Sequence, residues 1–205
     1  MKITVYFSRE RGIIPLMINM VDSKHVGKKL GEGSYGAAYE TTTPDTVIKV
    51  SFYPEDGFRD YVDWLNREKV PGTASPAIYR AAATKAFKEH FKGLEDRFNR
   101  YSVVYVTEKL TEPEAVIGFD NMRPLGCIAR SIATAVSVTE QLDRQFAEEC
   151  EKWGIVNAEE AFDLLRALYA EHLNDDVSIF NMMLRKVEAG WELVIIDPTS
   201  QPRRK

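Results

Sequence analysis

Residues 30–39 read Leu-Gly-Glu-Gly-Ser-Tyr-Gly-Ala-Ala-Tyr, with glycines at Gly31, Gly33 and Gly36. This spacing constrains the chain more than any other feature. Glycine lets a backbone turn sharply and approach a ligand with no Cβ in the way. Residues on both sides read as strands, so the local fold is a hairpin with a bare tip. Next comes Val47-Ile48-Lys49-Val50, a strand that carries a lysine among apolar neighbours. A lysine so placed needs an anionic partner. Bare backbone next to a strand cation is one way to hold a chain of phosphates, with Gly31, Gly33, Ser34 and Gly36 covering them and Lys49 neutralising them.

A second motif stands near the other end. Asp176-Val177-Ser178-Ile179-Phe180-Asn181 spaces an aspartate and an asparagine five residues apart. A short strand over 182–186, a turn at Glu188-Ala189-Gly190 and a second strand over 191–196 then lead to Asp197. A hairpin in this position returns Asp197 towards the Asp–Asn loop. In phosphoryl transfer such an aspartate accepts the proton of the acceptor hydroxyl, which is the catalytic role expected of Asp176 alongside Lys49. Asn181 and Asp197 supply hard oxygen ligands suited to Mg²⁺ on ATP. Asp175 adjoins Asp176, and the spacing to Asn181 selects the latter.

Composition narrows the class without naming it. The 205 residues fit one or two domains, with 44% hydrophobic and 28% charged residues. A net charge of −4 gives no global basic field, so direct nucleic-acid binding is not expected. Arg203, Arg204 and Lys205 read as a solvated end. Cys127 and Cys150 lack metal-ligand spacing and suit a reducing compartment, and His25, His90 and His172 show no zinc pattern. The apolar run at 13–21 is broken by Pro15 and Asn19 and is too short to span a bilayer. No membrane association and a cytoplasmic location are the expectation.

The remaining elements follow from periodicity. Residues 1–25 form an arm with an alternating, strand-like start. Three strands fall between 26 and 53, joined by the glycine loop and by Pro44-Asp45. Phe58, Tyr61, Val62 and Leu65 give a helical stripe over 56–69. A strand starts near 76–79, a charged helical insertion spans 84–100, and a β-branched and aromatic strand covers 101–106. Helices are expected over 133–153 and 158–172, the latter with Asn157 as its N-cap. The fold class is α+β, with an arm (1–25), a small antiparallel sheet lobe (26–110) and a reduced helical lobe (111–205).

The glycine loop with Ala37-Ala38-Tyr39, the Val-Ile-Lys-Val strand, the spaced Asp176 and Asn181, and Ile196-Asp197-Pro198-Thr199-Ser200 together resemble the early serine/threonine protein kinases of T7-type bacteriophages. The resemblance covers roughly residues 27–200, the middle being too divergent to align by eye. It implies a minimal bilobal kinase fold and an enzyme dependent on ATP and Mg²⁺. It also implies substrates among the proteins of a bacterial host, in whose cytoplasm the enzyme works. Glu68, nineteen residues after Lys49, takes the place of the helix glutamate that pairs with the lysine. Glu108 and Leu110 fall where an adenine-binding hinge belongs. Three features depart from ordinary kinases: Asp197-Pro198-Thr199 replaces Asp-Phe-Gly, Asn174 replaces a histidine, and only eight residues follow Asp197. Self-phosphorylation is expected on this short tail, at Ser200 first and Thr199 second. Two alternatives share the motifs, a small-molecule phosphotransferase of the aminoglycoside-kinase type and a nucleotide-binding pseudokinase that sequesters a host protein. The oligomeric state is left open.

Overall fold

The computed structural model describes residues 5–9, 12–16, 20–53, 57–68 and 72–199. Mixed α and β structure makes this an α+β chain, and its contacts divide into two units. The first unit runs up to Arg59 and resumes at Ala77–Lys109; the second holds Asp60–Pro76 and everything from Leu110. The boundary after Lys109 falls one residue from the expected one. The segment Asp60–Pro76, expected in the sheet lobe, groups with the second unit instead. The reason is local. Within that unit, Arg185 donates to the carbonyls of Thr73 (2.7 Å) and Ser75 (3.0 Å), and Ile195 N–H donates to Ala74 O (2.9 Å).

In the first unit, strands β1 (Val5–Arg9) and β2 (Gly12–Leu16) form a hairpin, where the sequence suggested a strand or arm. β3 (Met20–Val21), β4 (Val26–Glu32), β5 (Gly36–Thr41), β6 (Thr46–Ser51), β7 (Ile78–Ala83) and β8 (Val103–Glu108) build one sheet in the order β3-β7-β8-β6-β5-β4. All its pairings are antiparallel except β3 with β7. The insertion forms α2 (Lys85–Leu94), capped by the Thr84 hydroxyl, which accepts from Phe87 N–H. Phe87 and Phe91, four residues apart on one helical face, are fully buried with Tyr39, Phe52 and Ile48. Each such side chain contributes about 1.5–3 kcal/mol on burial. α1 (Gly57–Glu68), of which residues from Asp60 on belong to the second unit, buries the expected stripe of Phe58, Tyr61, Val62 and Leu65.

In the second unit, α3 (Pro113–Ile117), α4 (Phe119–Thr134), α5 (Glu140–Lys152) and α6 (Ala158–Ala170) precede the hairpin of β9 (Met182–Val187) and β10 (Gly190–Ile195). Ile132, Leu125, Phe146, Leu165 and Leu168 form its buried interior. The single helix expected over 133–153 is two helices. The first ends at Thr134, and Thr139 starts the second by accepting from Leu142 N–H (3.3 Å). Val136 and Val138 between them are β-branched, which disfavours helix, and a threonine side chain competes for backbone donors. Asn157 occupies the N-cap position of α6 but makes no capping bond. Its amide instead clips β10, accepting from Leu193 N–H (2.8 Å) and donating to Leu193 O (3.0 Å). A buried strand amide that lies beyond a ladder needs such a partner more than a helix end does.

Candidate functional site

The glycine hairpin lies wholly in the first unit. Gly33 N–H donates to Gly36 O (2.8 Å) and closes the turn between β4 and β5. The three glycines are not equivalent. A Cβ on Gly36 would stand 2.4 Å from Val50 O, so the close passage of β5 over β6 requires glycine there. A Cβ on Gly31 or Gly33 would meet nothing within 4 Å. Their exposed faces are bare where the fold has no steric use for bareness, and Ser34 is exposed beside them. Lys49 sits on β6 between Ala38 of β5 and Tyr105 of β8. Half-buried, it holds its ammonium 3.4 Å from the centroid of the Phe58 ring, a cation–π contact that orients the cation.

At the end of β8 the expected hinge residues separate in role. The Glu108 carboxylate is buried and accepts from Ala77 N–H (2.6 Å), while Glu108 N–H donates to Ala77 O (3.1 Å). Both groups therefore anchor the start of β7, and the Glu108 side chain is structural rather than ligand-facing. Lys109 N–H donates to Asp45 O and Thr111 N–H to Leu184 O, each at 2.8 Å. Of these four consecutive amides, Leu110 N–H alone meets no acceptor among the described residues.

The acidic motif lies wholly in the second unit. Residues 179–181 form one 3₁₀ turn, closed by Asn181 N–H to Ser178 O (3.1 Å). Asp176 N–H donates to Pro198 O and Ile196 N–H donates to Asn181 O, both at 2.9 Å. Asp197 is thereby bracketed, its two neighbours each bonded to one end of the Asp176–Asn181 loop. Asn181 Nδ2 donates to Asp176 O (2.9 Å). A carbonyl can only accept, so the amide orientation is fixed and Oδ1 is the atom left for another ligand. Asp176, Asn181 and Asp197 are all half-buried. Tyr61 packs against the same strand end, donating to Ile195 O (2.6 Å). Burial raises the Tyr61 phenol well above its ordinary value, and the negative charge of Asp197 raises it further, so it remains a neutral donor.

Asp175, which the spacing set aside, has a structural task. Its carboxylate accepts from the Thr199 hydroxyl. Thr199 is 2% exposed, so this hydroxyl is held rather than presented, which corrects its expected role as an acceptor on a mobile end. Ser200 lies outside the described residues. Glu68 differs from expectation too. It is exposed near the end of α1, and its carboxylate is taken by Arg67 at 2.7 Å rather than turned to the buried face. Sequence reasoning missed the tasks of Asp175 and Tyr61 because both depend on a strand end more than twenty residues away. The adjacent Asp-Asp pair was the one available signal.

Among the described residues no three His, Cys, Asp or Glu side chains gather in a metal-holding group. One carboxylate and one amide oxygen nevertheless fit Mg²⁺, which usually takes one or two protein ligands and completes its shell with phosphate oxygens and water. No helix among the described residues is long and apolar enough to cross a membrane. No protein-family model matches the chain, and no curated protein matches it.

Proposed function

We propose that this chain is a protein kinase that moves the γ-phosphate of ATP to serine or threonine hydroxyls. The observation that carries the reading is the bracketing of Asp197 by the Asp176–Asn181 loop, which groups one candidate base and two oxygen ligands. The hairpin glycines that the fold itself does not need, Gly31 and Gly33, support it, as does the aimed cation of Lys49.

In this reading the backbone around Gly31 and Gly33 covers the phosphates and Lys49 offsets their charge. Leu110 N–H meets the edge of the base. Asp176 orients the acceptor hydroxyl and takes its proton as the oxygen bonds to the γ-phosphorus and the bond to the bridging oxygen of ADP breaks. Asn181 and Asp197 would hold Mg²⁺, which when bound would supply charge stabilisation at the transferred group. The resemblance to phage kinases directs the substrate reading to bacterial host proteins. Incubating the purified chain with γ-labelled ATP, Mg²⁺ and bacterial lysate tests this. Labelled proteins support it. Label in a small metabolite, or no transfer despite nucleotide binding, replaces it with a small-molecule phosphotransferase or a pseudokinase.

A further inference from the structure

The insertion at 84–100 is not used by any motif above, yet it reaches the glycine hairpin. After α2 the chain turns back through residues 95–102, and Arg97 from this turn donates through one nitrogen to Gly33 O (3.0 Å) and Ser34 O (3.2 Å). Its other terminal nitrogen bonds the Glu32 carboxylate, and the guanidinium lies 4.5 Å from the centroid of the Phe52 ring. The fork therefore meets two tip carbonyls and the last residue of β4 while the ring beneath fixes its plane. Arginine suits this task because its donors are coplanar and rigid.

A second pair of contacts anchors the base of the clamp. Glu95, 7% exposed, accepts from Lys29 of β4 (2.6 Å) and from the Tyr39 hydroxyl of β5. Lys29 in turn bonds Glu32. Burial by itself would raise the Glu95 carboxyl, but the hydrogen bonds from Lys29 and Tyr39 outweigh it and hold the group below its ordinary value. Glu95 is thus a charged anchor at neutral pH. Phe91 and Phe98, which flank it in sequence, are buried in the sheet core, so the turn carrying Arg97 is rigid at its root.

We infer that Arg97 is a positioning residue that holds the glycine hairpin in its nucleotide-binding form, with Glu95 tying the inserted segment to both hairpin strands. The inference rests on the kinase reading. A tip with no side chains at Gly31 and Gly33 has many conformations to lose when a ligand binds, and a fixed cation on its carbonyls removes that cost beforehand. If the unclamped hairpin holds the competent form about a tenth of the time, apparent nucleotide affinity falls about tenfold.

The test compares wild type, Arg97→Ala and Arg97→Lys by amide hydrogen exchange without nucleotide and by ATP kinetics. Arg97→Ala should speed exchange at residues 32–36 and leave β8 unchanged. It should raise KM for ATP about tenfold with kcat within about twofold, and Arg97→Lys, which keeps the charge but not the fork, should fall between. Unchanged exchange at the tip overturns the clamp, as does a fall in kcat at constant KM. Wild type that binds no ATP sinks the kinase reading along with the inference. Wild type that binds ATP beside an Arg97→Ala protein of equal affinity sinks the inference alone.

Discussion

The glycine hairpin and the acidic loop are held in opposite ways. In the first unit the hairpin tip is gripped by side chains, the Arg97 fork on Gly33 and Ser34 and the Glu95 carboxylate on Lys29 and Tyr39. In the second unit the acidic loop is held mainly by backbone, Asp176 N–H on Pro198 O and Ile196 N–H on Asn181 O. Backbone bonds survive most substitutions and are nearly insensitive to pH and salt. Charged side-chain contacts at 28–43% exposure are screened by salt, and one substitution removes them. The comparison teaches where each half is vulnerable: the loop in its chemistry, the hairpin in its order.

The sharpest break is chemical. Asp176→Asn leaves the backbone bonds of the loop in place, so the fold and the nucleotide affinity should stay within a few-fold. Loss of a general base should lower the transfer rate on the order of 10²–10⁴. Labelled-ATP turnover beside an equilibrium nucleotide titration reads both quantities. Activity near wild type would move the base to another group.

Asn157→Ala asks whether the backbone-held unit has a weak side-chain point after all. Leu193 would lose a partner for both N–H and C=O in a buried setting. An unsatisfied buried group costs about 1–3 kcal/mol, so a loss of about 2 kcal/mol or more in urea unfolding is the expected outcome. A loss near half a kcal/mol would mean that the two bonds to Leu193 add little to stability.

The glycines divide the hairpin itself. Gly36→Ala places a methyl 2.4 Å from Val50 O and should destabilise the protein by about 1–3 kcal/mol. Gly31→Ala and Gly33→Ala meet open space, so stability should move by only about 0.5 kcal/mol while ATP affinity falls. Measuring unfolding and ATP binding on all three variants separates the two roles. If Gly33→Ala binds ATP as wild type does, the bare tip has no ligand task.

The smallest effect is the pH response of the clamp. The Glu95 carboxyl is held below its ordinary value when folded, so its contribution is present above the unfolded value and is lost as pH falls through the folded one. Between about pH 5 and 3, wild-type stability should therefore fall more steeply than that of Glu95→Gln. Parallel curves from thermal melts would remove Glu95 as a charged anchor.

How much of this was legible in the sequence depended on range. The three strands around the glycine loop, α1 with its buried stripe, and the β9–β10 hairpin ending just before Asp197 were all readable, because period and turn chemistry act over a few residues. α4 was not, since Pro124 and Gly126 interrupt its pattern. Gly126 is nonetheless required, as a Cβ there would stand 2.8 Å from Ile179 Cβ at the acidic loop. The motif spacing chose Asp176, and the Thr199 contact of Asp175 gives its neighbour a separate task. Glu68 was chosen by counting, and counting does not see that it lies on the exposed face. Arg97 stood in a charged stretch with no periodic mark, and its partners lie 63 to 65 residues away.

That separation has a consequence for how the chain is made. The acidic loop and the segment that laces it are 15 to 22 residues apart, so they leave the ribosome almost together. The glycine tip emerges first and then waits for a clamp 64 residues behind it. At about 5–20 residues per second this interval is roughly 3–13 s. Over that time β4 and β5 have a turn but no grip, and the edge strand β4 lacks the ties to Glu95 and Arg97 that hold it at the end of the sheet. Unpaired strand edges are where nascent chains stick to one another. Slowed synthesis between residues 36 and 97 would lengthen that exposure, and would lower soluble yield more than the same delay placed after Arg97.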